Sequence, residues 1–191
     1  DGSKVPAVEF ISRLAEESIV LRSESTFSFP YPEDTTPQHL PIGMPHVLFC
    51  FGAQVARVEI DPELGTVDVT HFAAIHDVGK VISQSGVEGQ IEGGVATGLG
   101  YALYETMLQK GDQWVDSFTE YLLPTAKDLP RHYENIILEV PEASGPYGAK
   151  GIGEITLVPT APAIANAVYD AVGVRVTKLP ITPERILGFV D

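Results

Sequence analysis

The chain has 191 residues, 44% of them hydrophobic and 20% charged, so one packed domain or at most two small ones is expected and the composition argues against global disorder. Acidic residues outnumber basic ones 26 to 12, and the formal charge of −14 repels phosphate backbones and anionic lipid, which argues against nucleic acid or a membrane surface as partner. Cys50 is the single cysteine, so an internal disulfide and four-cysteine zinc or iron–sulfur sites are excluded, and a reducing, cytoplasmic setting is expected. No apolar run reaches the roughly 18 residues of a membrane span. Residues 1–25 lack the basic start, apolar middle and cleavage site of a signal peptide. The first residue is Asp1, which fits a processed chain or a piece of a longer one.

The spacing of Phe10, Ile11, Leu14, Ala15 and Leu21 predicts a helix over 7–21, with Pro6 suited to its first turn. Five prolines between 22 and 46 predict an irregular, extended connection. Residues 47–60 alternate as a strand. Their apolar phase shifts from Val55 to Ala56, which predicts a β-bulge near 55–56. The turn Asp61-Pro62-Glu63-Leu64-Gly65 joins this strand to a second over 66–76, making a hairpin. A helix is predicted over 87–109, with Ile91, Val95, Leu99, Ala102 and Leu103 on its apolar face and Gly111 beyond its end. Strands are predicted over 114–123 and 134–140. A helix follows over 161–172, closed by Gly173, then a short strand over 174–179. Thr182-Pro183-Glu184 opens a terminal helix. Without a regular βαβ rhythm, the fold class is α+β, with helices layered on mixed or antiparallel sheets.

Two glycine clusters stand out. The first, Gly86 to Gly100, lies on a predicted helix, where each interior glycine costs about 0.8–1.0 kcal/mol relative to alanine. Close approach of a backbone or a bulky ligand would compensate. Spacing alone favours packing against a neighbouring element. Gln90 is expected in the first turn, where free N–H groups favour anions. The second cluster, Gly145-Pro146-Tyr147-Gly148-Ala149-Lys150-Gly151-Ile152-Gly153-Glu154, is neither a dinucleotide fingerprint nor a P-loop. It ends on a carboxylate beside the apolar run 155–158. Burial at a core edge would raise the pKa of Glu154 toward that of a useful base, although an exposed loop glutamate is the commoner case. Lys150 reads on its own as a solvated charge. His71 and His76, five apart on a strand, face opposite ways and cannot share a metal. Asp77 reads as turn chemistry before Gly79. Trp114, Tyr121 and Tyr147 read as core or rim aromatics.

An ordered set of segments carries a resemblance. His76-Asp77-Val78-Gly79-Lys80, Gly89-Gln90-Ile91-Glu92-Gly93-Gly94, residues 121–130, the loop 145–154, Ala163 to Ala167, and Leu179-Pro180-Ile181-Thr182-Pro183 follow one another across 47–191. In that order they resemble the carboxy-terminal part of the molybdopterin-binding subunit of the xanthine dehydrogenase/oxidase family, the molybdenum hydroxylases. Residues 1–46, a helix plus a proline-rich connection, match only weakly, and 47–191 form the family-like core. The resemblance implies a heteromeric oxidoreductase complex that oxidises a heteroaromatic or aldehyde carbon with water as oxygen source. Glu154 would be the catalytic base, taking a proton from a metal-bound hydroxyl. Gln90, Gly89, Lys150, Gly151 and Gly153 would lie at the molybdenum–molybdopterin cofactor, where bare backbone suits a flat pterin. No direct protein ligand to the metal is expected. Iron–sulfur clusters and FAD are expected on other subunits or domains, together with the remaining portion of the molybdenum subunit. Alone, the chain would supply half a pocket and no activity. Relatives that oxidise carbon monoxide or reduce aromatic thioesters share these loops, and a non-catalytic scaffold is the alternative that Glu154 and the intact glycine loops argue against.

Overall fold

A computed structural model describes residues 5–20, 22–26 and 48–189. Helix α1 spans Ala7–Glu16, β1 Gly52–Ile60, β2 Val67–Asp77, α2 Gln84–Leu103, β3 Gln109–Lys110, β4 Gln113–Trp114, β5 His132–Leu138, α3 Thr160–Val172 and α4 Pro183–Ile186. The main sheet has the order β1-β2-β5. Its β1–β2 pair is the expected antiparallel hairpin, closed by Asp61, whose side chain accepts the backbone N–H groups of Glu63 and Leu64. Its β2–β5 pair is parallel, so α2 is the crossover of a β-α-β unit that the sequence rhythm did not reveal. The α+β layering stands, with a mixed sheet.

Register explains which residues face the core. Ala56 lies opposite Phe72 and Phe72 opposite Tyr133, while Gln54, Ala74 and Asn135 make the next row. This face is covered by α2 through Val87, Ile91, Val95, Leu99 and Ala102, and by α3 through Ala161, Ile164 and Val168, all buried. Both helices show the i, i+4 spacing that puts one apolar stripe on a sheet. The other face of the sheet stays open, with Val55, Ile136 and Leu138 exposed and His71 stacked on His132 at 4.4 Å.

The bulge lies one strand later than the apolar phase predicts. Arg57 pairs with His71 and Val58 with Val69, so Thr70 on β2 is the extra residue. β1 itself keeps one inward phase through Gln54, Ala56, Val58 and Ile60. Helix α1 stops at Glu16 rather than 21, where Ser18 takes a positive φ; Leu21 lies outside the described residues. None of its side chains is buried. The proline-rich connection lies largely outside the described residues, which include only 22–26 of it. Helix α2 starts earlier than predicted, capped by Ser83, whose Oγ accepts the Gly86 N–H. It ends at Leu103 rather than 109, where the Ile181 N–H closes on the Ala102 carbonyl.

The predicted strand over 114–123 shrinks to Gln113–Trp114. Turns at Ser117, whose carbonyl accepts the N–H groups of Glu120 and Tyr121, end it. No strand forms over 174–179: Arg175 lies over the Tyr169 ring and bonds Asn166, which folds the segment back on α3. Gly173 closes α3 in the left-handed conformation, as predicted. Trp114 and Tyr147 are exposed, the latter at 91%, and are not core residues.

Leu99→Ala is expected to cost about 2–5 kcal/mol through lost burial and a residual cavity. Val55→Ala on the open sheet face should change stability by no more than about 0.5 kcal/mol. Urea denaturation midpoints of the two variants check this contrast.

Candidate functional site

Gln54 is the one amide in the inward phase of β1, and a buried amide needs hydrogen-bond partners. Its Oε1 accepts the Thr160 hydroxyl at 2.7 Å, and its Nε2 donates to the Thr156 carbonyl at 2.6 Å. The second proton of Nε2 faces His76 Nε2 at 3.0 Å. That nitrogen therefore accepts, and the imidazole proton sits on Nδ1. His76 is fully buried, its Nδ1 has no partner, and a side chain at Gly52 would press onto it. Burial lowers the His76 pKa and keeps the ring neutral. His71 faces the other side of the sheet and is exposed, as the strand period requires.

Thr156 links this cluster to α2, because its hydroxyl donates to the Gln90 carbonyl at 3.2 Å. The glycines of α2 divide into two kinds. A Cβ at Gly94 would collide with Thr156, and one at Gly98 would lie 2.5 Å from Thr160 Cβ. These two glycines exist for packing, the reading that spacing alone favours. A Cβ at Gly89 or Gly93 would meet nothing within 4 Å, and the same holds at Gly151 and Gly153.

The second glycine cluster is tied down at its other end. The Lys150 ammonium donates to Asp77 Oδ2, with the two side chains only 6% and 5% exposed. Asp77 Oδ1 accepts the N–H of Gly79 at 3.0 Å, the turn chemistry read from the sequence, and that of Val140 at 3.3 Å. Burial pushes the Asp77 pKa up, but the hydrogen bonds from Lys150, Gly79 and Val140 and the Lys150 charge more than offset it and hold the carboxylate below its ordinary value. The hydrogen bond to Asp77 raises Lys150 in turn. Backbone bonds from Lys150 N–H to the Val78 carbonyl and from Lys80 N–H to the Gly148 carbonyl complete the tether. Lys150 is therefore not a solvated charge: its ammonium faces a buried carboxylate. Cys50 Sγ approaches the Gly151 carbonyl at 3.3 Å. Burial raises the thiol pKa, opposed by the Lys150 charge.

Glu154 takes the commoner of its two sequence readings, an exposed loop glutamate, and Gln90 departs from its reading. Glu154 is exposed, because the residue of this segment that enters the core is Thr156, two positions on. The alternative, burial at a core edge, is not supplied by this chain. Gln90 lies well inside α2, since the helix begins at Gln84, so its N–H is not among the free ones of a first turn. Its side chain is exposed. What unites Gln90, Gly89, Gly151, Gly153 and Glu154 is that all lie open to solvent, on two segments that the Thr156 bond holds together. Sequence reasoning missed Gln54, Thr156 and Thr160. The one available signal was an amide sharing a strand phase with Ala56, Val58 and Ile60. Among the described residues, no three His, Cys, Asp or Glu side chains converge as a metal site.

The open backbone at Gly89, Gly93, Gly151 and Gly153 fits a flat group laid against two glycine-rich segments. The molybdopterin cofactor-binding domain family matches residues 3–130, including the amino-terminal stretch where motif resemblance was weak. A Bacillus subtilis (strain 168) protein whose name describes it as a probable xanthine dehydrogenase subunit is 38% identical over 172 residues, 90% of this chain. The crystal structure of quinoline 2-oxidoreductase from Pseudomonas putida 86 matches with a TM-score of 0.67 and 37% identity over 72% of this chain. That of the aldehyde oxidoreductase from Desulfovibrio desulfuricans ATCC 27774 matches with a TM-score of 0.72 and 32% identity over 78%. The chain belongs to the molybdopterin cofactor-binding domain of the xanthine dehydrogenase and aldehyde oxidoreductase large subunits. It spans 22% of the Bacillus protein and 18% and 16% of the two crystallised chains. No helix among the described residues is long and apolar enough to cross a membrane.

Two outcomes follow. His76 titrates below its ordinary value of 6.5 in the folded state, so its contribution to stability is present above pH 6.5 and is lost as the pH falls. The unfolding free energy should drop below pH 6.5 with an added slope of up to about 1.4 kcal/mol per pH unit, and His76→Gln should remove that component of the profile. Gly94→Val should destabilise by about 1–3 kcal/mol through overpacking against Thr156, whereas Gly93→Ala should leave the chain's stability unchanged or slightly raised. Thermal unfolding of both variants checks this.

Proposed function

We propose that this chain supplies the base and part of the cofactor cradle of a molybdenum hydroxylase that oxidises a heteroaromatic or aldehyde carbon, with water as oxygen source. One observation carries the reading: Glu154 ends a glycine loop with open backbone at Gly151 and Gly153, and that loop is tied to the open stretch of α2 carrying Gly89 and Gln90. The names of the similar proteins, which speak of xanthine, quinoline and aldehydes, support that substrate range.

When bound, the molybdenum–molybdopterin group supplies the two-electron redox chemistry. Gln90 offers an amide donor to it from α2. Gly89, Gly151 and Gly153 let it approach the backbone. The Glu154 carboxylate takes up the proton released as oxygen is transferred, and holds it on an Oε atom until turnover is complete. Exposure in this chain leaves Glu154 facing the portion of the subunit that completes the pocket. Covering by that portion supplies the desolvation that makes a carboxylate a better base. Lys150 acts here by holding the loop to Asp77, not by touching substrate. The remaining portion of the subunit carries most substrate contacts, and the iron–sulfur and flavin partners carry the electrons away.

Glu154→Gln in the assembled enzyme tests the assignment. Turnover should fall by about a hundredfold or more while molybdenum content stays at the wild-type level. Activity within about tenfold of wild type, with full metal content, would show that Glu154 is not the base.

A further inference from the structure

We propose that Gln54 is a positioning residue for Glu154, setting the carboxylate through the turn that follows it. The inference rests on the reading of Glu154 as the base. The backbone before Glu154 is tethered at Lys150 and by Ile152, which packs against the core from a partly buried position, but Gly151 and Gly153 have no side chains to pack, and the nearest side-chain hydrogen bond is Cys50 to the Gly151 carbonyl. The backbone after it is clamped. The Leu157 N–H bonds the Glu154 carbonyl at 3.3 Å, and the Thr160 N–H bonds the Leu157 carbonyl at 3.2 Å. Two turns in series thus run from Glu154 to the first residue of α3.

Gln54 grips this segment at two points. Its Nε2 holds the Thr156 carbonyl at 2.6 Å and its Oε1 holds the Thr160 hydroxyl at 2.7 Å. Its other Nε2 proton is anchored on the buried His76 ring, and its own strand is paired along its length to β2. Thr156 also bonds the Gln90 carbonyl, so the clamp fixes the Glu154 turn relative to α2. One side chain therefore ties the sheet, the turn and the start of α3. A thioether side chain of similar length would keep the packing, leave His76 Nε2 without a partner, and leave the Thr160 hydroxyl and the Thr156 carbonyl only their long mutual bond of 3.4 Å.

The test uses the full-length enzyme with its partner subunits, assayed with whichever of xanthine, quinoline and benzaldehyde the wild type oxidises. Gln54→Met should lower kcat about tenfold or more, with KM within about twofold and molybdenum content unchanged. In the Glu154→Gln background the same substitution should cost less than about twofold, because its effect is exerted through Glu154. Amide hydrogen exchange, which needs no substrate, should quicken about tenfold or more at Leu157 and Thr160 while β2 and β5 stay unchanged. Thr160→Val, which keeps the volume and removes one of the two grips together with the longer 3.4 Å bond from the Thr160 hydroxyl to the Thr156 carbonyl, should give the same pattern to a smaller degree, and it carries the test if Gln54→Met does not assemble. Unchanged kcat with unchanged exchange would overturn the proposal. So would a kcat loss that persists in full in the Glu154→Gln background. If Glu154→Gln alone keeps its activity, the general-base reading fails, and the exchange rates still decide whether Gln54 holds the turn.

Discussion

The segment after Glu154 runs so close to α2 that the helix can carry no side chain opposite it. Gly94 faces Thr156 and Gly98 faces Thr160, and a Cβ at either position would occupy space already filled. Close approach lets the Thr156 hydroxyl reach the Gln90 carbonyl, a helix acceptor that a bulkier interface would keep out of range. The rest of the site follows from that contact. It sets the end of the glycine loop beside the stretch of α2 that carries Gly89, Gln90 and Gly93. It also brings Thr156 and Thr160 over Gln54, the polar position in an otherwise apolar strand phase. The helix-propensity cost of two interior glycines is offset by this packing.

The second glycine cluster is held from the opposite end by a different kind of force. Asp77 and Lys150 are both nearly buried and face one another, and removing either would leave a charge without a partner in a dry setting. Asp77 also accepts two backbone N–H groups, so the ion pair is part of a turn rather than a lone contact. Between the tether at Lys150 and the clamp at Thr156 lie Gly151, Ile152, Gly153, Glu154 and Ile155. A short span anchored at both ends, with bare backbone inside it, can present a carboxylate and still let a flat group come close. The exposed Glu154 side chain and the open outer face of the sheet are consistent with a chain spanning 22% of the Bacillus protein it matches.

Local signals made much of the fold legible. The hairpin is read from alternation and from Asp61 at its turn, α3 from its apolar spacing and Gly173, and the core stripe of α2 from Ile91, Val95, Leu99 and Ala102. Features set by distant pairing leave no such sign. The bulge shows only as a phase shift, which points to β1, whereas the register puts the extra residue at Thr70 on β2. The parallel pairing of β5 gives no local signal. Lys150 reads as a solvated charge until its partner, 73 positions away, is known. At the site, motif order leads to Glu154, Gln90 and the glycines; the apolar run after Glu154 leaves burial of its carboxylate open as an alternative to exposure, and the buried member of that run is Thr156. Gln54 escapes notice because a glutamine in a strand is ordinary until the register turns it inward.

The central claim is that the open glycine backbone of α2 and of the loop before Glu154 forms one wall of the cofactor site. Solving the structure of the assembled enzyme with its cofactor bound tests it most directly. The account predicts the pterin against Gln90 and the backbone of Gly151 and Gly153, with the Glu154 carboxylate turned toward the metal. A structure in which protein side chains fill that face and the cofactor lies elsewhere would contradict it.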